Sequence, residues 1–225
     1  MKILSTKTLP ATIFSIARQK EIALTCLDFI QINAIPFSID KINSSEFISI
    51  VFTSSNAVKY FLEHNLAKQL IVGKKIFSLS GKTADELRAH NIPITSIAEN
   101  SEKLADAIIQ DEQAKSVLHP CGNLSLDTLQ QKLENRNIRY QTLVVYETSA
   151  VNNEPNENFD AVMFFSPSGV ESFCNGNNLK KGILYCCIGQ TTAAAVREKG
   201  KDLTIIISTQ TNAKSMIESI EEHLK

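Results

Sequence analysis

The sequence predicts an α/β protein with two similar lobes, each a parallel sheet flanked by helices. Apolar, β-branched runs alternate with segments of helical spacing along the chain. The phrase at 52–58 (FTSSNAV) recurs at 164–170 (FFSPSGV), and the phrase at 80–84 (SGKTA) has a counterpart at 189–193 (GQTTA). A chain of 225 residues with 43% apolar content is long enough to give each lobe its own core.

The first two thirds of the chain alternate between predicted strands and helices. Apolar runs predict strands at 3–5, 27–32, 47–52, 75–79, 94–97, 117–119 and 139–146. Apolar residues three and four apart predict helices from Pro10, and at 56–66, 83–90, 101–109 and 124–135. Pro10 suits a helix start because its fixed φ fits the first turn.

After a polar stretch at 147–158, the alternation restarts. Strands are predicted at 161–165, 183–188 and 203–207, and helices at 169–173, 192–199 and 212–224. The N-terminal elements are too short to fold alone, so we expect them to complete the C-terminal lobe. The predicted organisation is a discontinuous lobe of 1–34 plus 153–225, a second lobe of 43–143, and linkers at 35–42 and 144–152.

Composition argues against several classes of protein. The net charge of −1 lacks the basic excess of nucleic-acid binding proteins. The N-terminus turns polar after two apolar residues and no apolar run approaches 20 residues, so we expect no signal peptide or membrane contact and a cytoplasmic location. The five cysteines are scattered and the four histidines lack ligand spacing, which predicts reduced packing thiols and no metal.

No familiar nucleotide-binding or nucleophile motif is present in the sequence. G-x-G-x-x-G and P-loop patterns are absent, so we expect neither a dinucleotide nor a nucleoside triphosphate. No serine sits in a G-x-S-x-G elbow. A catalytic triad is therefore not predicted.

Hydroxyl side chains follow predicted strands at four corresponding places. In parallel sheets, helices begin at these points and their free N–H groups attract anions. The residues are Ser54, Ser55, Thr83, Ser166, Ser168, Thr191 and Thr192. Each alone could simply cap a helix. Their repetition at four loops favours a ligand with several carboxylates, held between two facing lobes.

Tyr146 ends a strand-like run on the second predicted crossing between lobes. A tyrosine with an ordinary pKa of about 10 is protonated at neutral pH and can donate to a leaving hydroxyl. Packing of its ring at the crossing is the alternative interpretation. His119 could titrate near neutrality, although a structural or peripheral role is favoured for it.

Six phrases, in this order, resemble the uroporphyrinogen-III synthase family. They lie at 52–58 (FTSSNAV), 82–84 (KTA), 120–124 (PCGNL), 145–148 (VYET), 165–170 (FSPSGV) and 188–193 (IGQTTA). No single phrase is specific, but the ordered set is. The resemblance implies two flavodoxin-like lobes joined by a two-stranded linker, no cofactor, and the linear tetrapyrrole hydroxymethylbilane as substrate.

The family dehydrates and cyclises hydroxymethylbilane with inversion of ring D, which gives uroporphyrinogen III for heme biosynthesis. The resemblance implies that Tyr146 assists hydroxyl departure and that Thr83 and Thr192 lie in the cleft. It implies further substrate contacts at Thr53, Ser54, Ser55, Asn56, Gly122, Asn123, Ser166, Ser168, Gly169 and Thr191. We expect a monomer that works mainly by positioning its substrate. The alternative is a non-catalytic two-lobed binding protein for a small anionic ligand.

Overall fold

The computed structural model describes residues 1–38, 42 and 46–225. Strands and helices alternate along the chain, as the sequence predicted. The strands are β1 (Lys2–Ser5), β2 (Ala23–Cys26), β3 (Ile30–Ala34), β4 (Ser49–Phe52), β5 (Lys75–Leu79), β6 (Ser96–Ala98), β7 (Ser116–Gly122), β8 (Arg139–Ala150), β9 (Ala161–Phe164), β10 (Leu184–Cys187) and β11 (Thr204–Ile207). The helices are α1 (Ala11–Gln19), α2 (Ser55–Leu62), α3 (Ala67–Ile71), α4 (Lys82–Ala89), α5 (Ser101–Gln110), α6 (Thr128–Glu134), α7 (Pro167–Gly176), α8 (Gln190–Lys199) and α9 (Ala213–Leu224).

The chain divides into two compact units. Unit 1 is Met1–Gln31 with Ser149–Lys225, and unit 2 is Ile32–Thr148. The fold class expected from the sequence, two largely parallel sheets flanked by helices, is confirmed. The lobe and linker boundaries expected from the sequence stay a prediction, and residues 39–41 and 43–45 of those segments lie outside the described residues.

Unit 1 contains a five-stranded sheet with the order β11-β10-β9-β1-β2. Its neighbouring strands pair in parallel. The N-terminal β1 lies between β9 and β2, so the first strand of the chain is an interior strand of a sheet otherwise built largely from C-terminal residues. Central parallel strands are buried on both faces, which explains why all four residues of β9 are apolar and why Ile3 and Leu4 of β1 are both buried.

The sheet of unit 2 has the order β3-β8-β7-β4-β5-β6. The pairs β8/β7, β7/β4, β4/β5 and β5/β6 are parallel. All seven residues of β7 are buried. The candidate site lies at the C-terminal parts of β7 and β8.

Both sheets have an apolar core on each face. In β4, Phe52 packs into one cluster and Val51 into the cluster on the other face. In β10, the adjacent thiols Cys186 and Cys187 likewise enter different clusters, as alternation along a strand requires. Burial raises the pKa of both thiols to about 12, so they are packing groups and not nucleophiles.

The strand predicted at 27–32 is confirmed only at 30–32, which lie in β3, and β2 was not predicted. A turn at 27–29 separates the two strands. In that turn the Asp28 carboxylate accepts hydrogen bonds from the Thr8 backbone N–H at 2.6 Å and the Thr8 hydroxyl at 2.8 Å. Phe29 is buried against Phe173, with ring centroids 5.0 Å apart. An apolar residue can reach the core from a turn, which local periodicity does not distinguish from a strand.

Several element lengths also differ from expectation. The helix predicted at 56–66 ends at Leu62 as α2, and the short α3 begins only after the predicted range. The helix predicted from 124 begins at Thr128. Strand β7 continues through Pro120 because β4 pairs with it only as far as Leu118, so the missing proline N–H breaks no bond to that neighbour. Its partner β8 continues to Ala150.

A buried hydroxyl in β4 generates a stability prediction. Within the described part of the chain, Ser49 Oγ is buried without a hydrogen-bond partner, which costs about 1–3 kcal/mol. Ser49→Ala is therefore expected to raise the free energy of unfolding by about 1 kcal/mol. Ser116 in β7 is the matched control, because its Oγ accepts from the Ile48 N–H at 3.1 Å.

Ser116→Ala should lower the free energy of unfolding by about 1 kcal/mol. Equilibrium urea unfolding of both variants checks the pair. Equal destabilisation by the two substitutions would contradict the prediction.

Candidate active site

The two recurring phrases adopt the same local structure. Ser54 lies two residues after the end of β4 and caps α2, where its Oγ accepts from the Asn56 N–H at 3.2 Å. Ser166 follows β9 and caps α7, where its Oγ accepts from the Gly169 N–H at 3.1 Å. The capping role considered from the sequence is therefore present at both places. It also fixes each serine at the carboxyl end of a parallel strand, where helix N–H groups attract anions.

Tyr146 lies in β8 and reaches the first of these caps. Its hydroxyl donates to Ser54 Oγ at 3.2 Å. Its ring packs beside Tyr60, with centroids 5.9 Å apart. The structure thus brings the predicted catalytic tyrosine onto one of the predicted substrate-binding loops, within unit 2.

Gly122 makes this position of the Tyr146 ring possible. A Cβ at Gly122 would lie 2.4 Å from Cζ and 2.8 Å from the hydroxyl oxygen of Tyr146. The pairing of β7 with β8 shifts register after Cys121, so that Gly122 stands opposite Tyr146. Glycine is needed here because the aromatic ring approaches the backbone closely, and not for an unusual φ.

The Asn123 side chain forms hydrogen bonds with the backbone of Thr148, near the end of β8. Its Oδ1 accepts from the Thr148 N–H at 2.8 Å, and its Nδ2 donates to the Thr148 carbonyl at 3.3 Å. Its backbone N–H donates to the Tyr146 carbonyl at 3.2 Å. The amide proposed from the family resemblance as a substrate contact therefore already has two partners, and it braces the segment that follows Tyr146.

A pocket of about 260 Å³ lies beside these groups in unit 2. Its polar lining includes Thr53, Ser54, Ser101 and Tyr146, while Leu124 and Leu126 contribute exposed apolar surface. The described residues that line it include no lysine or arginine. The pocket therefore offers neutral hydrogen-bond donors and apolar contacts to a ligand.

A buried histidine lies directly beneath the Thr53 side of this pocket. His119 is 1% exposed. Its Nε2 is 2.9 Å from Thr53 Oγ1, and its Nδ1 is 2.5 Å from the Tyr140 hydroxyl. Burial lowers the pKa of His119 to about 4, well below neutrality, which agrees with the structural role favoured for it over titration near pH 7. Burial also raises the pKa of Tyr140, so both partners are neutral at pH 7.

The other predicted site residues lie at helix starts. Ser55 and Asn56 are half-buried in the first turn of α2. Ser168 Oγ is 3.0 Å from Ser166 Oγ in unit 1. Thr191 is exposed in the first turn of α8, next to the buried Thr192.

Thr83 is the second residue of α4 and Thr192 is the third residue of α8. Both threonines are buried in the first helical turn, which follows a glycine N-cap in each case. Their burial leaves little of either side chain for a ligand, and both fit the role of helix–sheet packing.

Sequence reasoning missed the groups behind the pocket. The sequence favours a structural or peripheral role for His119, and it gives no indication that Tyr140 or Ser101 contributes to the site. The position of His119 directly before the PCGN phrase was the available signal, because residues beside a ligand loop often support it. Among the described residues, no group of three or more histidines, cysteines or acidic residues is placed to hold a metal, and no helix is long and apolar enough to cross a membrane.

Comparison with known proteins gives consistent results. The family model for uroporphyrinogen-III synthase HemD matches residues 17–218. A uroporphyrinogen-III synthase of Chlorobaculum parvum is 25% identical over 201 residues, covering 80% of this chain and 81% of the relative.

Two solved structures share the fold. The uroporphyrinogen-III synthetase of Helicobacter pylori 26695 aligns over 100% of this chain and 99% of its own, with a TM-score of 0.75 and 20% identity. A mutant uroporphyrinogen III synthase of the extremely thermophilic bacterium Thermus thermophilus aligns over 100% and 98%, with a TM-score of 0.70 and 15% identity. At these identities the structural likeness bears on the fold alone.

The contact between Gly122 and Tyr146 is tested by adding one methyl group. Gly122→Ala is expected to displace the Tyr146 ring and to lower the free energy of unfolding by about 1–3 kcal/mol, as overpacking does. Gly176→Ala is the control, since a Cβ there meets nothing within 4 Å. Near-ultraviolet circular dichroism and urea unfolding report both effects. Equal behaviour of the two variants would refute the close approach.

The buried His119 predicts a pH dependence of stability. Its pKa falls from an ordinary 6.5 to about 4 on folding, so the unfolded chain binds a proton between these values and the folded chain does not. Stability is therefore fully present above about pH 6.5 and is lost as the pH falls, by roughly 2 kcal/mol between pH 7 and pH 5. Urea unfolding at both pH values measures this loss. His119→Gln, which cannot ionise, should show a smaller loss, and equal losses would contradict the assignment.

Proposed function

Because this chain belongs to the uroporphyrinogen-III synthase HemD family, whose model matches residues 17–218, we propose that it cyclises and dehydrates hydroxymethylbilane to uroporphyrinogen III. The observation that supports Tyr146 as the reacting group is its hydrogen bond to Ser54, since both residues line the unit 2 pocket. It places a phenol donor on a loop built to attract anions. The further expectations of a monomer in the cytoplasm, with no nucleic-acid partner, belong to the same proposal.

Tyr146 supplies the donor for the departing hydroxyl. In the structure, Ser54 Oγ accepts the phenol hydrogen. A substrate hydroxymethyl oxygen takes over as acceptor when the substrate binds. As the C–O bond breaks, its electron pair leaves on that oxygen, which takes the proton of Tyr146 and departs as water. The pyrrole nitrogen donates its electron pair and loses its N–H proton, which gives the neutral azafulvene and balances the proton that Tyr146 has given up. A donor aimed at the leaving oxygen lowers the barrier because charge develops there.

The remaining steps require positioning more than proton transfer. The azafulvene is attacked by the substituted carbon of ring D, and the spiro intermediate then fragments and recloses with ring D inverted. Hydroxymethylbilane also cyclises unaided, so the protein must hold ring D for attack at the hindered carbon. We propose that substrate carboxylates bind at the loop containing Ser54 and Ser55 in unit 2. The loop containing Ser166 and Ser168 in unit 1 has the same kind of serine cap and stays a predicted carboxylate contact. First-turn N–H groups and hydroxyls supply the hydrogen bonds.

The function is tested by the isomer of the product. Protein incubated with freshly generated hydroxymethylbilane, followed by oxidation and separation of the porphyrins, is expected to give isomer III. Isomer I alone, formed at the spontaneous rate, would exclude the synthase activity. Tight binding of hydroxymethylbilane without turnover would instead identify a binding protein.

The role of Tyr146 is tested by removing its hydroxyl. Tyr146→Phe keeps the ring and is expected to lower kcat by on the order of 100-fold, with the fold intact by circular dichroism. Tyr60→Phe is the matched control, because the neighbouring Tyr60 hydroxyl bonds to the Ile32 carbonyl and not to Ser54. Unchanged formation of isomer III by Tyr146→Phe would remove Tyr146 from the mechanism.

A further inference from the structure

Three neutral groups form a chain of hydrogen bonds that ends at the unit 2 pocket. The Tyr140 hydroxyl is 2.5 Å from His119 Nδ1, and His119 Nε2 is 2.9 Å from Thr53 Oγ1. Both ring nitrogens of a buried histidine are therefore occupied. Thr53 lines the pocket, and within the described residues its hydroxyl has no hydrogen-bond partner besides His119.

The direction of the hydrogen bonds follows from the chemistry of the groups. A neutral imidazole has one N–H donor and one acceptor nitrogen. A phenol is a stronger acid than an aliphatic alcohol, so Tyr140 is the better donor to the ring. With Nδ1 accepting from Tyr140, the hydrogen of His119 lies on Nε2 and is donated to Thr53 Oγ1. The hydroxyl hydrogen of Thr53 is then left free for another acceptor.

We propose that Tyr140 and His119 are positioning residues that turn the Thr53 hydroxyl into a donor toward the unit 2 pocket, where it binds a carboxylate of the substrate. The identity of the ligand rests on the proposed function, whereas the direction of the hydrogen bonds does not. The opposite direction would make Thr53 donate to His119 and present only oxygen lone pairs to the ligand, which repel a carboxylate. With no lysine or arginine among the described lining residues, the pocket depends on such neutral donors.

The tautomer of His119 gives a test that is independent of activity. In protein labelled with ¹⁵N-histidine, the shifts and long-range couplings of the ring identify which nitrogen carries the hydrogen. We expect His119 as the Nε2–H form at pH 7. Tyr140→Phe, which removes the donor to Nδ1, is expected to shift the ring toward the other form or a mixture. An Nδ1–H ring in the wild-type protein would overturn the proposal.

Kinetics test the consequence for the ligand. Tyr140→Phe is expected to raise KM for hydroxymethylbilane about 5- to 10-fold through loss of an oriented donor to a charged group, with kcat within about twofold. Tyr185→Phe in unit 1 is the control, since it removes a tyrosine hydroxyl that bonds the Lys180 backbone and should leave KM unchanged.

The outcomes separate this proposal from the proposed function. An unchanged KM in Tyr140→Phe, or a fall in kcat at constant KM, would overturn the positioning role even if isomer III is formed. If the wild-type protein forms no isomer III, the proposed function fails, and the tautomer measurement still decides the direction of the hydrogen bonds. If Tyr140→Phe does not fold, the wild-type tautomer decides alone.

Discussion

The pairing of β7 with β8 is the interaction on which the candidate site depends. β7 carries His119, Gly122 and, just beyond its end, Asn123, while β8 carries Tyr140 and Tyr146. The parallel register and its shift after Cys121 bring Gly122 opposite Tyr146. His119, Tyr140 and Tyr146 are thus held by strands that are themselves fixed by sheet hydrogen bonds, while Thr53 and Ser54 lie in the loop that follows β4.

Burial determines the chemistry that the site can offer. His119 and Tyr140 stay neutral because the charged forms of both groups are disfavoured in the core. The described lining of the pocket is neutral as well, with hydroxyls at Thr53 and Ser54 beside exposed leucines. A site of this kind can orient a polycarboxylate through hydrogen bonds without fixing it through ion pairs. This suits a reaction in which a flexible ligand must change its shape during turnover.

The internal duplication accounts for the serine caps of the two units but not for the other groups of the candidate site. Ser54 and Ser166 have equivalent caps after equivalent strands, so the duplication reproduces an anion-attracting helix start in each unit. The phenol donor and the buried histidine belong to unit 2. The two units therefore share the serine-capped helix start. The catalytic assignment rests on Tyr146, which only unit 2 contains.

The sequence by itself determined the alternation of strands and helices and the two serine caps. These features depend on residues that are neighbours along the chain, such as the serine directly before a helix or the apolar run of a buried strand. Six short phrases were also enough to indicate the family. The region around 27–32 shows where local patterns fail. One strand was predicted there, but the structure has β2 and β3 with a turn between them, and Phe29 packs into the core from that turn.

Only the tertiary structure decided the protonation, the close contacts and the hydrogen-bond partners of the site residues. The pKa of His119 depends on how completely distant residues exclude water from it, and the need for glycine at 122 depends on a ring that comes from another strand. The commitment of Asn123 to the backbone of Thr148 is equally non-local. Close approach and burial arise from residues far apart along the chain, and no local pattern in the sequence encodes them.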